Sequence, residues 1–173
     1  MSGPEEAIND PVAILRILER NEVEYVVIGG FAAEVHGSPY PTYDVDITPK
    51  IQSGNLERLA SALNGINPRL HAGPHEPGGV PVKLDAKMLS RAEIWNLVTD
   101  LGVIDIVTTP AGSKGFSDLV ARAERAQIDD DLTVLVASLE DVIRSKAEAD
   151  REKDRRVLPE LRALSEMRRK RGL

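Results

Sequence analysis

The segment Thr42-Tyr43-Asp44-Val45-Asp46-Ile47-Thr48 holds two carboxylates two residues apart in a β-rich run. In a strand, residues i and i+2 share a face, with Cα atoms roughly 6.5–7 Å apart. Asp44 and Asp46 would then point to one side, and Val45 and Ile47 to the core. Two such carboxylates repel each other unless a cation lies between them. Hard oxygen donors call for Mg²⁺ or Mn²⁺. A third acid, Asp105, sits inside Val103-Ile104-Asp105-Ile106-Val107. A charge buried and unpaired among such residues costs several kcal/mol, so Asp105 needs either an open face or a cation. Three acids of this kind suit a paired-metal site, whose ions, about 3.5–4 Å apart, serve in-line attack on a phosphate.

Upstream, the apolar run Tyr25–Ile28 meets Gly29-Gly30 and then a short helical stretch, Phe31–His36. The glycines allow a bulky ligand to approach the backbone. The unpaired N–H groups of a new helix suit a phosphate. His36 is read as packing against the strand end. His71 and His75 flank Gly73-Pro74, which forbids the helix that would let two histidines share a metal.

The elements that must position these groups follow from periodicity and punctuation. Asp10-Pro11 reads as an N-cap with proline at the first helical position, opening a helix that ends near Asn21. Tyr25–Ile28 and Tyr43–Thr48 read as strands, and Ser53–Leu63 as a helix with Leu56, Leu59, Ala60 and Leu63 on one face. Residues 64–82, with four prolines and four glycines, read as an irregular loop. Val82–Leu89 is ambiguous, with a strand as one reading. Ile94–Thr99 and Val103–Val107 flank Asp100-Leu101-Gly102 and predict a hairpin. Phe116–Ala126 reads as a helix, and Leu132–Val136, after Asp129-Asp130-Asp131, as the last strand. Ser138 caps a further helix, with Asp141 at the capping-box position. Arg151–Asp154 interrupts it. A final helix runs over about Arg155–Arg168, and Pro159 is awkward inside it unless the helix restarts there with proline in its first turn. Hairpins together with helical crossovers imply an α/β (α+β) fold with a mixed sheet flanked by helices and a C-terminal helical segment. The expected organisation is a single domain over 1–173, with an α/β core at 11–137 and the helical segment at 138–173.

Composition narrows the function class. The chain has 173 residues, a net charge of −6 and no cysteine, which excludes disulfide scaffolds, thiolate zinc sites and cysteine nucleophiles. No apolar run reaches the roughly 18 residues of a membrane span. The start, Met1–Glu6, is acidic and lacks an apolar core, which argues against a secretory signal and for the cytoplasm. Residues 1–139 carry a net −9 and residues 140–173 a net +3, ending in Arg168-Arg169-Lys170-Arg171. That asymmetry fits a polyanionic partner or, more simply, cations completing a helix end.

The ordered set of strand-Gly29-Gly30-helix, Asp44-Val45-Asp46, a lone strand Asp105 and a late Lys146 resembles the nucleotidyltransferase superfamily of DNA polymerase β. Gly29–Ala33, His36-Gly37-Ser38-Pro39, Ser138–Lys146 and Arg151-Glu152-Lys153-Asp154 are more closely similar to minimal bacterial nucleotidyltransferases of the AbiEii-toxin type. The resemblance covers most of residues 12–165. It implies a nucleotidyltransferase fold and transfer of a nucleoside monophosphate from an NTP to a hydroxyl, with Mg²⁺ or Mn²⁺ and release of pyrophosphate. Gly29, Gly30 and Lys146 would hold the triphosphate, and Asp44, Asp46 and Asp105 the metals. Asp105 would also help deprotonate the attacking hydroxyl, and Asp154 would orient Lys146 or bind the acceptor. The implied acceptor is an RNA such as tRNA, or a protein, and the implied partner is a cognate antitoxin. Two departures stand out: Phe31 replaces a frequent serine, and Tyr40 and Tyr43 occupy a region that often carries arginine. A small-molecule (aminoglycoside-type) transferase, with Asp129–Asp131 as acidic acceptor pocket, and a non-catalytic nucleotide-binding or partner-binding module remain as alternatives.

Overall fold

A computed structural model describes residues 8–173; the acidic Met1–Glu6 stretch lies outside them. The helices are α1 (Pro11–Arg20), α2 (Gly29–Val35), α3 (Ser53–Asn64), α4 (Ala86–Leu89), α5 (Phe116–Val120), α6 (Leu139–Ala149) and α7 (Glu152–Lys170). The strands are β1 (Tyr25–Ile28), β2 (Val45–Pro49), β3 (Arg69–Leu70), β4 (Val80–Pro81), β5 (Ile94–Thr99), β6 (Gly102–Val107), β7 (Glu124–Asp129) and β8 (Leu132–Val136). They form one sheet in the order β4-β3-β5-β6-β2-β1-β8-β7. The sheet is mixed, as expected: β1 pairs in parallel with β8, and β2 with β6, while the other ladders are antiparallel.

All four residues of β1 are buried, which explains why Tyr25-Val26-Val27-Ile28 shows no alternation. Along β6 the alternation is clean: Ile104 and Ile106 are buried, and Val103, Asp105 and Val107 are half-buried on the opposite face. That period of two takes Asp105 out of the core without cost to its neighbours. α1 starts as its sequence predicts, with Asp10 Oδ1 accepting the Ala13 N–H at 2.9 Å, and it buries Ile14, Leu15 and Leu18. α3 buries Leu56, Leu59, Ala60 and Leu63 together.

Several elements differ from expectation. The helix predicted over Phe116–Ala126 stops at Val120, and Glu124–Asp129 forms β7 instead. Pairing with β8 overrides the local sequence, which has only one β-branched residue in that strand. The loop 64–82 contains the two-residue strands β3 and β4. Val82–Leu89 contains no strand: Asp85 Oδ1 accepts the Met88 N–H at 2.7 Å and starts the single turn α4. The second strand begins at Val45, leaving Asp44 just before it.

At the C-terminal end Ser138 caps α6 by accepting the Asp141 N–H at 3.1 Å. The Asp141 carboxylate does not complete a capping box but takes Arg122 (3.0 and 2.9 Å) and Arg144 (2.6 Å). α6 ends at Asp150, whose φ of 49° lies in the left-handed region that Asp tolerates better than most residues. α7 then runs unbroken through Pro159 rather than restarting there. Pro159 and Arg155 are both exposed, so the Arg155 carbonyl that loses its donor can be hydrated.

Candidate functional site

Register brings the predicted acids together. β2 and β6 pair in parallel with Asp46 directly opposite Asp105, and β1 pairs with β2 so that Ile28, the last residue before Gly29, is opposite Asp46. Residues directly opposite in neighbouring strands show the same face. Asp44 approaches from the segment leading into β2. One carboxylate oxygen from each of Asp44, Asp46 and Asp105 lies within 4.8 Å of the others. This is the spacing at which a small oxygen-ligated cation can touch all three.

The turn between β1 and α2 presses on this cluster. Gly29 has φ +68°, and a Cβ built on it would overlap Asp46 Oδ2 and sit 3.0 Å from Asp46 Cγ. Only glycine serves there, for the backbone angle and for the space. At Gly30 a Cβ would meet Thr42 Oγ1 at 3.2 Å. α2 has no side-chain cap, so the amides of its first turn are left free of one.

The electrostatics of the cluster are dominated by like charges in a partly buried place. Asp46 Oδ1 is buried and accepts no hydrogen bond. Burial, followed by the adjoining Asp105 and then Asp44, pushes the Asp46 carboxyl up to about 7, against a smaller opposing pull from Lys153. A buried acceptor left unpaired costs about 1–3 kcal/mol. A divalent cation would relieve both the repulsion and the missing partner, so the residues present fit Mg²⁺ or Mn²⁺. Asn96, which sequence reasoning did not single out, faces Asp105 across the β5–β6 hairpin and donates from Nδ2 to Asp105 Oδ1 at 2.8 Å.

Cations gather where α6 hands over to α7. Asp154 is fully buried and accepts from Arg151 Nε at 2.7 Å and from the Arg151 N–H at 3.2 Å, with Lys146 Nζ at 3.5 Å. Burial works to raise its pKa, but the Arg151 guanidinium and the Lys146 ammonium outweigh it and hold the carboxyl below its usual range. Lys146 is thus oriented by Asp154 and is only 12% exposed. Lys153 and Arg151, by contrast, are the cations whose charges act on Asp46. Neither is among the site residues that the sequence predicts, although both belong to the run Arg151-Glu152-Lys153-Asp154 that carries part of the resemblance.

The Phe31 side chain is buried in the core. Tyr40 donates to Glu160 Oε1 at 3.1 Å, and Tyr43 is exposed. His36 is buried, with Nε2 2.7 Å from the Ala137 carbonyl oxygen, in the packing role foreseen for it. Asp129 and Asp131 both bind Arg16. Among the described residues no helix is long and apolar enough to cross a membrane.

No protein-family profile and no curated protein matches the chain. Among solved structures, one from Thermotoga maritima, provisionally described as a nucleotidyltransferase, superposes with a TM-score of 0.53 at 15% sequence identity. The alignment covers 86% of this chain and 88% of that one. At this identity the likeness speaks for the fold: a mixed α/β architecture of the nucleotidyltransferase type, with a helical C-terminal segment.

Proposed function

We propose that the protein is a divalent-cation-dependent nucleotidyltransferase that moves a nucleoside monophosphate from an NTP to a hydroxyl and releases pyrophosphate. The observation that carries this reading is the convergence of Asp44, Asp46 and Asp105 around a buried Asp46 oxygen that has no protein partner. An acidic cluster on a surface is ordinary. One that leaves a carboxylate oxygen buried, unpaired and repelled by its neighbours is under a strain that a cation removes.

Asp44, Asp46 and Asp105 would hold Mg²⁺ or Mn²⁺. When bound, the cations would neutralise charge on the triphosphate as it is attacked. The acceptor oxygen bonds to the α-phosphorus, the bond to the pyrophosphate oxygen breaks, and the hydroxyl proton passes to Asp105. Asp105 is half-buried on the open face of β6, within reach of solvent and of an acceptor. The Gly29-Gly30 turn, Lys153 and Arg151, with Lys146 behind them, would face the triphosphate. In this reading residues 11–137 form the catalytic core and 138–173 supply cations to its rim.

The acceptor we favour is an RNA such as tRNA, with the protein acting in the cytoplasm as the toxin of a toxin–antitoxin pair, in line with the AbiEii-type resemblance. The net +3 of residues 140–173 supports a polyanionic acceptor. For the small-molecule alternative, two of the three acids that would form its acceptor pocket, Asp129 and Asp131, are paired with Arg16. The test is incubation with each α-labelled NTP, Mg²⁺ and total cellular RNA or total protein. Label in RNA is the expected result; label in protein keeps the activity and changes the acceptor; no label in either with any NTP refutes transfer to a macromolecule.

A further inference from the structure

The β5–β6 hairpin places a neutral amide against the acid that this reading makes the proton acceptor. We propose that Asn96 is a positioning residue for Asp105, holding its carboxylate in the orientation that admits a divalent cation; this rests on the transferase reading above.

Asn96 and Asp105 are cross-strand partners, and the Asn96 Nδ2 to Asp105 Oδ1 distance is 2.8 Å. An ionised carboxylate only accepts, so the amide must present its NH₂ to Asp105. One acceptor position on Oδ1 is thereby engaged, which leaves the remaining lone pairs of the carboxylate for a cation or a hydroxyl. The Asp105 side chain has two freely rotating torsions and emerges from an open strand face. Its intrinsic tendency is therefore to spread over several rotamers, away from Asp46 and Asp44, which repel it. A donor on the far side counters that tendency. A lysine or arginine at position 96 would fix the carboxylate equally well but would also cancel the negative potential that attracts a cation. Asn supplies the hydrogen bond without the charge. Asn96 is exposed, so its side chain contributes little to the core, and no packing need explains an amide at this point of the strand.

Outer partners of metal-ligating side chains typically change metal affinity or activity by about 10–100-fold when removed. The test is titration of the purified full chain with Mn²⁺, following the free aquo ion by electron paramagnetic resonance. Melting temperature without metal and NTP-dependent labelling are measured on the same samples. Asn96→Ala is expected to weaken Mn²⁺ binding at least tenfold and to lower kcat while leaving KM for the NTP near wild type, with an unchanged metal-free melt. Asn96→Asp keeps the shape but cannot donate when ionised. It is expected to melt lower without metal, to recover on adding Mn²⁺, and still to transfer slowly. If Asn96→Ala binds Mn²⁺ as wild type does while Asp46→Asn does not bind, the assignment of Asn96 falls and the metal site stands. Wild-type transfer by Asn96→Asp likewise overturns it. A wild-type chain that binds no Mn²⁺ overturns the transferase reading as well.

Discussion

Replacing Asp46 with asparagine should make the metal-free protein more stable, which is the opposite of what removing a charged residue from a functioning ion pair would do. The Asp46 carboxyl is raised from 3.8 to about 7 by burial and by Asp105 and Asp44. At about 1.4 kcal/mol per tenfold, ionising it in the folded state costs up to about 4 kcal/mol. Part of that is shared with Asp105 and part is screened by water, so about 2 kcal/mol is the working figure. The sign follows from proton linkage. Between pH 3.8 and about 7 the folded chain holds a proton that the unfolded chain has lost, so wild-type stability falls as pH rises through this window. Asparagine, which resembles the protonated acid, does not fall with it. The gap between Asp46→Asn and wild type should therefore be small near pH 4 and largest above pH 7. For a chain of this length, 1 kcal/mol moves Tm by about 2–4 °C, so the variant should melt about 4–8 °C higher at pH 8 with chelator present. Adding Mn²⁺ should raise wild-type Tm and leave the variant nearly unchanged, and labelling of the acceptor should fall by orders of magnitude. Differential scanning calorimetry at pH 4, 6 and 8, with and without Mn²⁺, measures all of this except labelling. A variant that melts below wild type at pH 8, or that Mn²⁺ stabilises as much as wild type, refutes the electrostatic account of the site.

Four further variants test the same geometry. Gly29→Ala forces a left-handed φ on an L-residue and drives its Cβ into Asp46, so it should cost about 1–3 kcal/mol in urea unfolding and weaken Mn²⁺ binding as well. Asp154→Asn removes a carboxylate whose depressed pKa stabilises the fold above its unfolded value and is lost as pH falls. The wild-type chain should lose stability on acidification below pH 4 more steeply than the variant, and the variant should be less stable at pH 7 by about 3 kcal/mol, as read from denaturant midpoints at both pH values. Lys153→Ala should raise KM for the NTP several-fold and leave the fold intact, because Lys153 is exposed and its charge acts on Asp46; Lys146→Ala should also weaken nucleotide binding more than metal binding, and unchanged nucleotide affinity in either variant removes that lysine from the site.

Strand alternation, glycine punctuation and helix caps are local signals, legible in the residues alone. The caps at Asp10 and Ser138 rest on hydrogen bonds three residues long, and the outward face of Asp105 follows from the alternation of its own strand, so chemistry and backbone geometry are nearly decisive there. The elements that the sequence misjudged are those whose state depends on a distant partner. Glu124–Asp129 is a strand because β8 lies beside it, and α7 passes through Pro159 with Leu158 and Leu161 buried on either side of it. The site shows the same division. That Asp44, Asp46 and Asp105 are chemically suited to a cation was legible; that they meet was decided by the parallel register of β2 and β6, set by the whole sheet. Asn96 shows how fine the margin is. With Gly102 assigned to the turn, Asp105 would face Leu97; with Gly102 in the strand, as folded, it faces Asn96. One residue of register exchanges an apolar side chain for a hydrogen-bond donor, because neighbouring residues in a strand point to opposite faces and only tertiary packing selects which pairing is kept.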